Sequence, residues 1–415
     1  MLIKNGRIID PASKTDKISD IRIENGKIAE MGKIEGKGID ASGLIVAPGL
    51  VDAHVHFRDP GFTHKEDIYS GANSAAAGGF TTVICMANTN PIVDNQKTLE
   101  YILEKAKAAK INVHTIVALT KGFKGDELVD MEELIKKGAI GFSDDGIPNT
   151  NTSIILEGMQ RAKELDVPIS FHEEDPMLNR ENGINHGEIS KKLGLYGAPS
   201  ISEDIMVARD AALCLNTGAK INIQHISSGE SVDIVRYFRQ KGANLTAEVT
   251  PHHFSKTEDL VLEKNTLAKM NPPLRTESDR QKILQGLKDD TITIIATDHA
   301  PHSESEKALD FVKAPSGIIG LETALGLGIK YLVKENVISL MKLLEKMTVN
   351  PAKLYKLDAG EIKLGAKADL VIFDKDEEYI VEKFHSKSSN SPFIGEKLCG
   401  KVKYTICNGK IVYSD

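Results

Sequence analysis

GLVDAHVH, residues 49–56, is an apolar run that ends on two histidines one residue apart. On a strand, alternate residues face the same side, so His54 and His56 project together and could grip one metal ion. The texture recurs in TTVICMAN (81–88), NVHTIVAL (112–119), AIGFSD (139–144), VPISFH (167–172), KINIQH (220–225), NLTAEVTP (244–251) and TITIIATD (291–298). Each is a short apolar strand followed by a longer amphipathic stretch, the alternation of a parallel sheet wrapped by helices. Eight such strands in this order predict an α/β fold, a closed (β/α)8 TIM-type barrel rather than an open sheet. No internal repeat is visible. Long connections follow strands five, seven and eight (173–199, 252–276 and 299–319), and loops of that length are expected to form the mouth of a site.

Outside this region the pattern changes. The first forty-odd residues alternate apolar and polar positions around Asn-Gly pairs, as in LIKNGRII and DIRIENGKIAEMG, the signature of short hairpins. A similar texture returns in ADLVIFD and VKYTICNGKIVYS near the end. Neither segment is a convincing domain alone, so the two are expected to meet in one small, discontinuous β-sandwich. The expected division is a sandwich of residues 1–46 plus 356–415 and a barrel of 47–355.

Composition sits near the average for soluble globular proteins: 41% hydrophobic and 27% charged residues exclude disordered and fibrous classes. A net charge of -7 offers no broad basic footprint for nucleic acid, and the lysines at 105–110 read as a solvated helix face. The uncharged stretch 71–93 carries Gly, Asn, Thr and Pro91, so it reads as helix, turn and buried strand rather than a membrane span. MLIKNGRIID lacks the apolar core of a signal peptide, which predicts a cytoplasmic protein. Cys85, Cys214, Cys399 and Cys407 form no CxxC pair and are expected to be reduced and structural.

Barrel enzymes take their catalytic groups from the carboxyl ends of several strands, and here His56, His172, His225 and Asp298 each end an apolar run. Asp144 and Asp145 follow strand four in the same way. Histidines and carboxylates without cysteine suit zinc, manganese, cobalt or iron, and four histidines with two aspartates exceed the needs of one tetrahedral ion. Two ions are therefore expected, with an aspartate of strand four as the natural bridge. His114 reads as packed inside strand three, His64, His186 and His385 have no supporting pattern, and His252 and His253 stay open. Phosphate cradles of the Walker or dinucleotide type are absent.

DAHVHFRDPG, GGFTTV, MANTNP, FSDDG, FHEED, QHIS, TAEVTPHH, KMNPPLR and ATDHAPH, in this order, resemble the dihydroorotases of the amidohydrolase superfamily, in the bacterial form with an aspartate bridge. The likeness runs nearly the whole chain. It implies reversible, zinc-dependent interconversion of N-carbamoyl-L-aspartate and dihydroorotate in pyrimidine biosynthesis. Matched by position, it implies His54, His56 and Asp298 at a first metal, His172 and His225 at a second, and Asp145 as the bridge, with Asp144 the alternative. Asp298 would act as base and then acid. The implied substrate contacts are His56, Arg58, Asn88, Asn271, His302, Ser316 and Gly317, of which Arg58, Asn88 and His302 would hold the carboxylate. A homodimer is the expected assembly, and aspartate transcarbamoylase is a candidate partner; no nucleic acid or membrane is expected.

Ala87 stands where the family more often has proline, and AIGFSDDG holds no lysine for the family's other metal bridge. The rival cyclic amidases (hydantoinase, dihydropyrimidinase, allantoinase) act on rings without this carboxylate, which Arg58 and Asn88 argue against. A catalytically silent scaffold for the transcarbamoylase would have little use for six metal-binding groups.

Overall fold

The computed structural model describes residues 1–181 and 183–415. Strands Leu50–Val55, Phe80–Cys85 and Asn112–Thr115 pair in parallel in that order. Ile169–Phe171, Ile221–Ile223, Leu245–Val249 and Ile294–Ile295 form a second parallel sheet. Phe142 makes parallel bridges to Val117 on one side and Ile169 on the other, and Val55 bridges His299 across the opposite seam. Ala53, Ile84, Ile116, Ile294 and Ala296 share one buried apolar cluster, so strands of both sheets turn alternate side chains toward a common interior.

The strand expected at 139–144 differs from the others. Its backbone does pair, Val117 N–H donating to the Gly141 carbonyl and Phe142 N–H to that of Pro168, but no regular ladder forms. On the Ile169 side Pro168 has no N–H to return, which leaves an isolated bridge there.

Helices flank the strands where the sequence supplies caps. Asp67 accepts from the backbone of Tyr69 and Ser70 and starts helix Ile68–Ala77. That helix is built of small residues because it lies close to the strands: a Cβ on Gly71 would come within 2.4 Å of Phe57. Thr276 and Asp279 form a capping box for Glu277–Lys288. Lys105 departs from the solvated face expected of its cluster, donating to Asp59 at 2.7 Å. All four cysteines are buried and free.

By hydrogen bonding, the terminal strands make one sheet where two were expected. Leu2–Asp10, Thr15–Glu24, Lys27–Gly32, Ile39–Asp40 and Ile45–Pro48 join Leu370–Ile380, Lys397–Cys407 and Lys410–Ser414 in one hydrogen-bonded sheet of eight strands. Continuity comes from Ile45–Pro48, which pairs with Leu2–Asp10 on one edge and Leu370–Ile380 on the other. Asn25-Gly26 and Asn408-Gly409, with φ of 51°, 77°, 49° and 74°, are the expected tight turns. The first pair is not: Asn5-Gly6 lies inside Leu2–Asp10 at a shift of register, so it is a bulge within a strand.

Gly79 joins the two parts. Its φ is 88°, and a Cβ there would lie 2.7 Å from Val371 of the terminal sheet. Gly79→Ala combines a left-handed backbone with a clash and should destabilise the fold by at least about 1–2 kcal/mol. A lowered thermal midpoint is the expected reading; an unchanged one would show that the sheets yield here. Among the described residues, no helix is long and apolar enough to cross a membrane.

Candidate functional site

Each expected metal-ligating residue lies on the last residues of a parallel strand or bridge, or within a few residues beyond it, and their side chains converge. His54 Nε2 is 3.4 Å from Asp145 Oδ1 and 3.5 Å from Asp298 Oδ1. His56 Nε2 is 2.9 Å from Asp298 Oδ1 and 3.5 Å from Asp145 Oδ2. His172 Nδ1 and His225 Nε2 are each 3.7 Å from Asp145 Oδ1 and 2.9 Å from one another. Asp145 is thus the carboxylate at the centre. Asp144 is occupied elsewhere, accepting from Leu119 N, Thr120 N and Thr120 Oγ1 at 2.8, 3.0 and 2.6 Å.

This arrangement fits a cation. His54 Nδ1 lies 2.8 Å from Glu248 Oε1, so it donates there and leaves the Nε2 lone pair facing Asp145. His56 Nδ1 donates to Asn88 Oδ1 at 2.8 Å, which turns the Nε2 lone pair toward the Asp298 carboxylate. With the imidazoles neutral, as metal-binding histidines are, acceptor faces acceptor in both cases, and His54 Nε2 and Asp145 Oδ1 are buried with no hydrogen-bond partner. An unsatisfied buried group costs about 1–3 kcal/mol, a penalty that a positive ion between these atoms would remove. Two overlapping groups, His54–His56–Asp298 and His54–Asp145–His225, each hold their ligand atoms within 4.8 Å of one another.

Beside this cluster is a cavity of about 180 Å3. His56, Arg58, Asn88, Asn271, His302 and Ser316 line it, and Gly317 closes one side. Arg58 donates from Nε to the Pro301 carbonyl at 3.2 Å, with Nη2 3.4 Å from His302. Asn88 spends one N–H on Asp145 Oδ2. Gly317 has its backbone committed, N–H to the Lys269 carbonyl and C=O to Lys307 and Asn390, so what it offers the cavity is shape. At its φ of 128° a side chain would be strained, and a Cβ would lie 3.2 Å from His302 Nε2.

Residues 45–412 match the amidohydrolase family. With all of both chains covered, the chain is 62% identical to a dihydroorotase of Clostridioides difficile (strain 630). The chain belongs to the dihydroorotases of the amidohydrolase family. It is 55% identical to a Lactococcus lactis subsp. lactis dihydroorotase, covering 100% of this chain and 99% of that one. A crystallised D-hydantoinase shares the fold at a TM-score of 0.88 and 24% identity, covering 100% of this chain and 95% of the other. An L-hydantoinase from Arthrobacter aurescens does so at a TM-score of 0.88 and 24% identity, over 100% and 96%.

Charge in this amidohydrolase site is held by mutual attraction against burial. Burial opposes the Asp145 carboxylate, yet His54, His172 and His225 keep it well below the usual range. Burial likewise opposes Asp298, and His54 and His56 outweigh it. His172 is pushed up to about 10, Asp145 and Glu174 overcoming the effect of burial. Burial and then Arg58 push His302 down to about 2, so its imidazole is neutral, and Nε2–H donates to the Ser316 carbonyl at 2.9 Å. Asp144, half-buried, rises to about 6, desolvation outweighing its hydrogen bonds from Thr120 and Leu119.

Arg58, His225 and Asp298 have φ of 59°, 31° and 50°. Bulky side chains reach this left-handed region only where surrounding structure enforces it, and such strain gathers at functional sites. Sequence reading passed over the residues that aim the histidines. Glu248 accepts from Asn222 Nδ2 at 2.9 Å as well as from His54, which fixes ring orientation as carboxylate partners of metal-bound histidines do. Their signal was present: Asn222 and Glu248 are polar residues within otherwise apolar strands. His252 is buried beside the cluster and pushed to about 3 by burial, and remains a neutral neighbour of Asp298.

Proposed function

We propose that this amidohydrolase acts as a dihydroorotase, closing N-carbamoyl-L-aspartate reversibly to (S)-dihydroorotate and water in de novo pyrimidine biosynthesis. One observation carries the choice among cyclic amides: a partly buried guanidinium, Arg58, lines the cavity beside the metal-ligand cluster. Its Nε bond goes to a carbonyl, which leaves the outer N–H groups to meet an anion, and a carboxylate engages that planar fork with two parallel bonds. Asn88, His302, Asn271, His56 and the Ser316–Gly317 edge would complete the pocket.

We infer that the parallel strands close as a (β/α)8 barrel spanning 47–355, with 1–46 and 356–415 as the second domain; the bridges at Phe142 and Val55 support closure. Two zinc ions are proposed: His54, His56 and Asp298 would hold one, His172 and His225 the other, and Asp145 would contribute its carboxylate to both. Bound there, zinc would polarise a carbonyl oxygen and bring the pKa of water near neutrality. In ring opening, Asp298 accepts a proton from the attacking water and delivers it to the departing ring nitrogen; in ring closure it moves the proton the other way. Arg58 keeps the carboxylate end fixed, so the carbonyl stays within reach of the nucleophile.

Ring opening of dihydroorotate by the purified chain, beside hydantoin, dihydrouracil and allantoin, before and after chelation, tests this reading. Turnover of dihydroorotate that chelation abolishes is expected; faster turnover of hydantoin, or of none, would overturn it. Arg58→Met sharpens the test. A charged hydrogen bond is worth about 1.5–3 kcal/mol, so kcat/KM for dihydroorotate should fall at least about tenfold, with metal content unchanged. Activity on dihydrouracil, which has no carboxylate, should fall much less; an equal loss would make Arg58 structural.

A further inference from the structure

We propose that Asn390 is a positioning residue for substrate binding: from the C-terminal part of the chain it fixes the loop that presents His302, Ser316 and Gly317 to the cavity. The proposal rests on the dihydroorotase reading above. Asn390 is 3% exposed, and its whole amide is engaged. Oδ1 accepts from His302 N–H at 3.0 Å, while Nδ2 donates to the carbonyls of Ala300 and Gly317, each at 3.1 Å. A side-chain amide has one acceptor oxygen and two N–H donors, and here each has a partner on the same loop. The Asn390 carbonyl adds a fourth bond, from Ile319 N–H at 3.1 Å. Asn390 therefore pins the outgoing limb of the 299–319 loop to its returning limb, at the level where both face the cavity.

The Asn390 segment is anchored outside the loop as well as to it. The segment carrying Asn390 is tied to two carboxylates elsewhere: His385 N–H donates to Glu322 at 2.9 Å, and Ser386 Oγ and Lys387 N–H donate to Glu66. Ser388 Oγ donates to the Lys65 carbonyl at 2.8 Å, and Phe393 is buried beyond. Two buried lysines hold the rest of the loop. Lys269 Nζ donates to the carbonyls of Phe311, Val312 and Ala314, and Lys307 Nζ to those of Lys269, Pro315 and Gly317. The lysines fix its outer turn, and among the described residues it is Asn390 that holds the His302 N–H. Without it, the Gly317 carbonyl keeps Lys307 but the His302 N–H loses its acceptor, freeing the imidazole side of the pocket to drift.

The test separates positioning from general stability. Asn390→Ala should raise KM for dihydroorotate about five- to tenfold, as expected for lost buried hydrogen bonds, while kcat changes less than about twofold. In a His302→Ala background the same substitution should raise KM clearly less, because the imidazole is gone and the Ser316–Gly317 edge that remains is still held by Lys307 through the Gly317 carbonyl. Equal effects in both backgrounds, or a fall in kcat with KM unmoved, overturn the proposal. Should the alanine variant not fold, Asn390→Asp is read in the same way: it keeps the size and the acceptor but sets an oxygen against two carbonyls, and an unaltered KM overturns the proposal. An unsubstituted chain that does not open dihydroorotate overturns the functional reading and this one with it. Normal turnover with unmoved KM in the variants overturns the positioning role alone.

Discussion

Changing His54 and His56 together to alanine is expected to abolish ring opening and lower the metal content by the ion that these two histidines hold, while the fold persists. Both imidazoles lie at the end of a strand whose pairing is made by backbone atoms, so Leu50–Val55 keeps its parallel neighbour without them. Glu248 loses its histidine but keeps the Asn222 donor, so the buried carboxylate is not left bare. The metal has no such reserve: His54 belongs to both cation-competent groups, and His56 completes one of them. Loss of two ligands leaves too few donors for a tetrahedral ion. Elemental analysis, turnover and circular dichroism on the same preparation decide the matter. Full metal and full turnover in the double variant would place the centre elsewhere.

The strand ends were legible because apolar runs that stop on histidine or aspartate are a local pattern, and seven of the expected strands are strands here. Features that depend on distant partners were not. Asn5-Gly6 and Asn25-Gly26 are the same dipeptide, yet one is a bulge and the other a turn, because beyond Gly6 the chain goes on pairing with Ser19 and Ile18. Alternation marks a strand without naming its neighbour, so the terminal segments could be read as strands but not as one continuous sheet. Asp144 and Asp145 are indistinguishable by type and place; the difference lies in Thr120 and Leu119, which engage one carboxylate and leave the other to the histidines. Asn390 lies in a serine-rich connection that reads as an ordinary loop, and its partners are up to 90 residues away.

Asp298→Asn should lower kcat at least about a hundredfold, the lower range for acid–base catalysis, because the amide keeps the size of the side chain and cannot take up the proton. Backbone strain does not confound this substitution. The φ of 50° at this position is one that asparagine adopts more readily than most residues, so the strand end should hold its shape. The introduced amide would be a weaker metal ligand than the native carboxylate, which lies 2.9 Å from His56 Nε2, and some metal would be lost with it. Turnover is therefore expressed per equivalent of bound metal, and circular dichroism is recorded alongside. A hundredfold fall on that basis, with KM for dihydroorotate little changed, assigns the loss to proton transfer, since the proposed hold of Arg58 on the carboxylate is untouched by the substitution. A near-normal rate per bound metal would remove Asp298 from the proton path and leave it only a ligand.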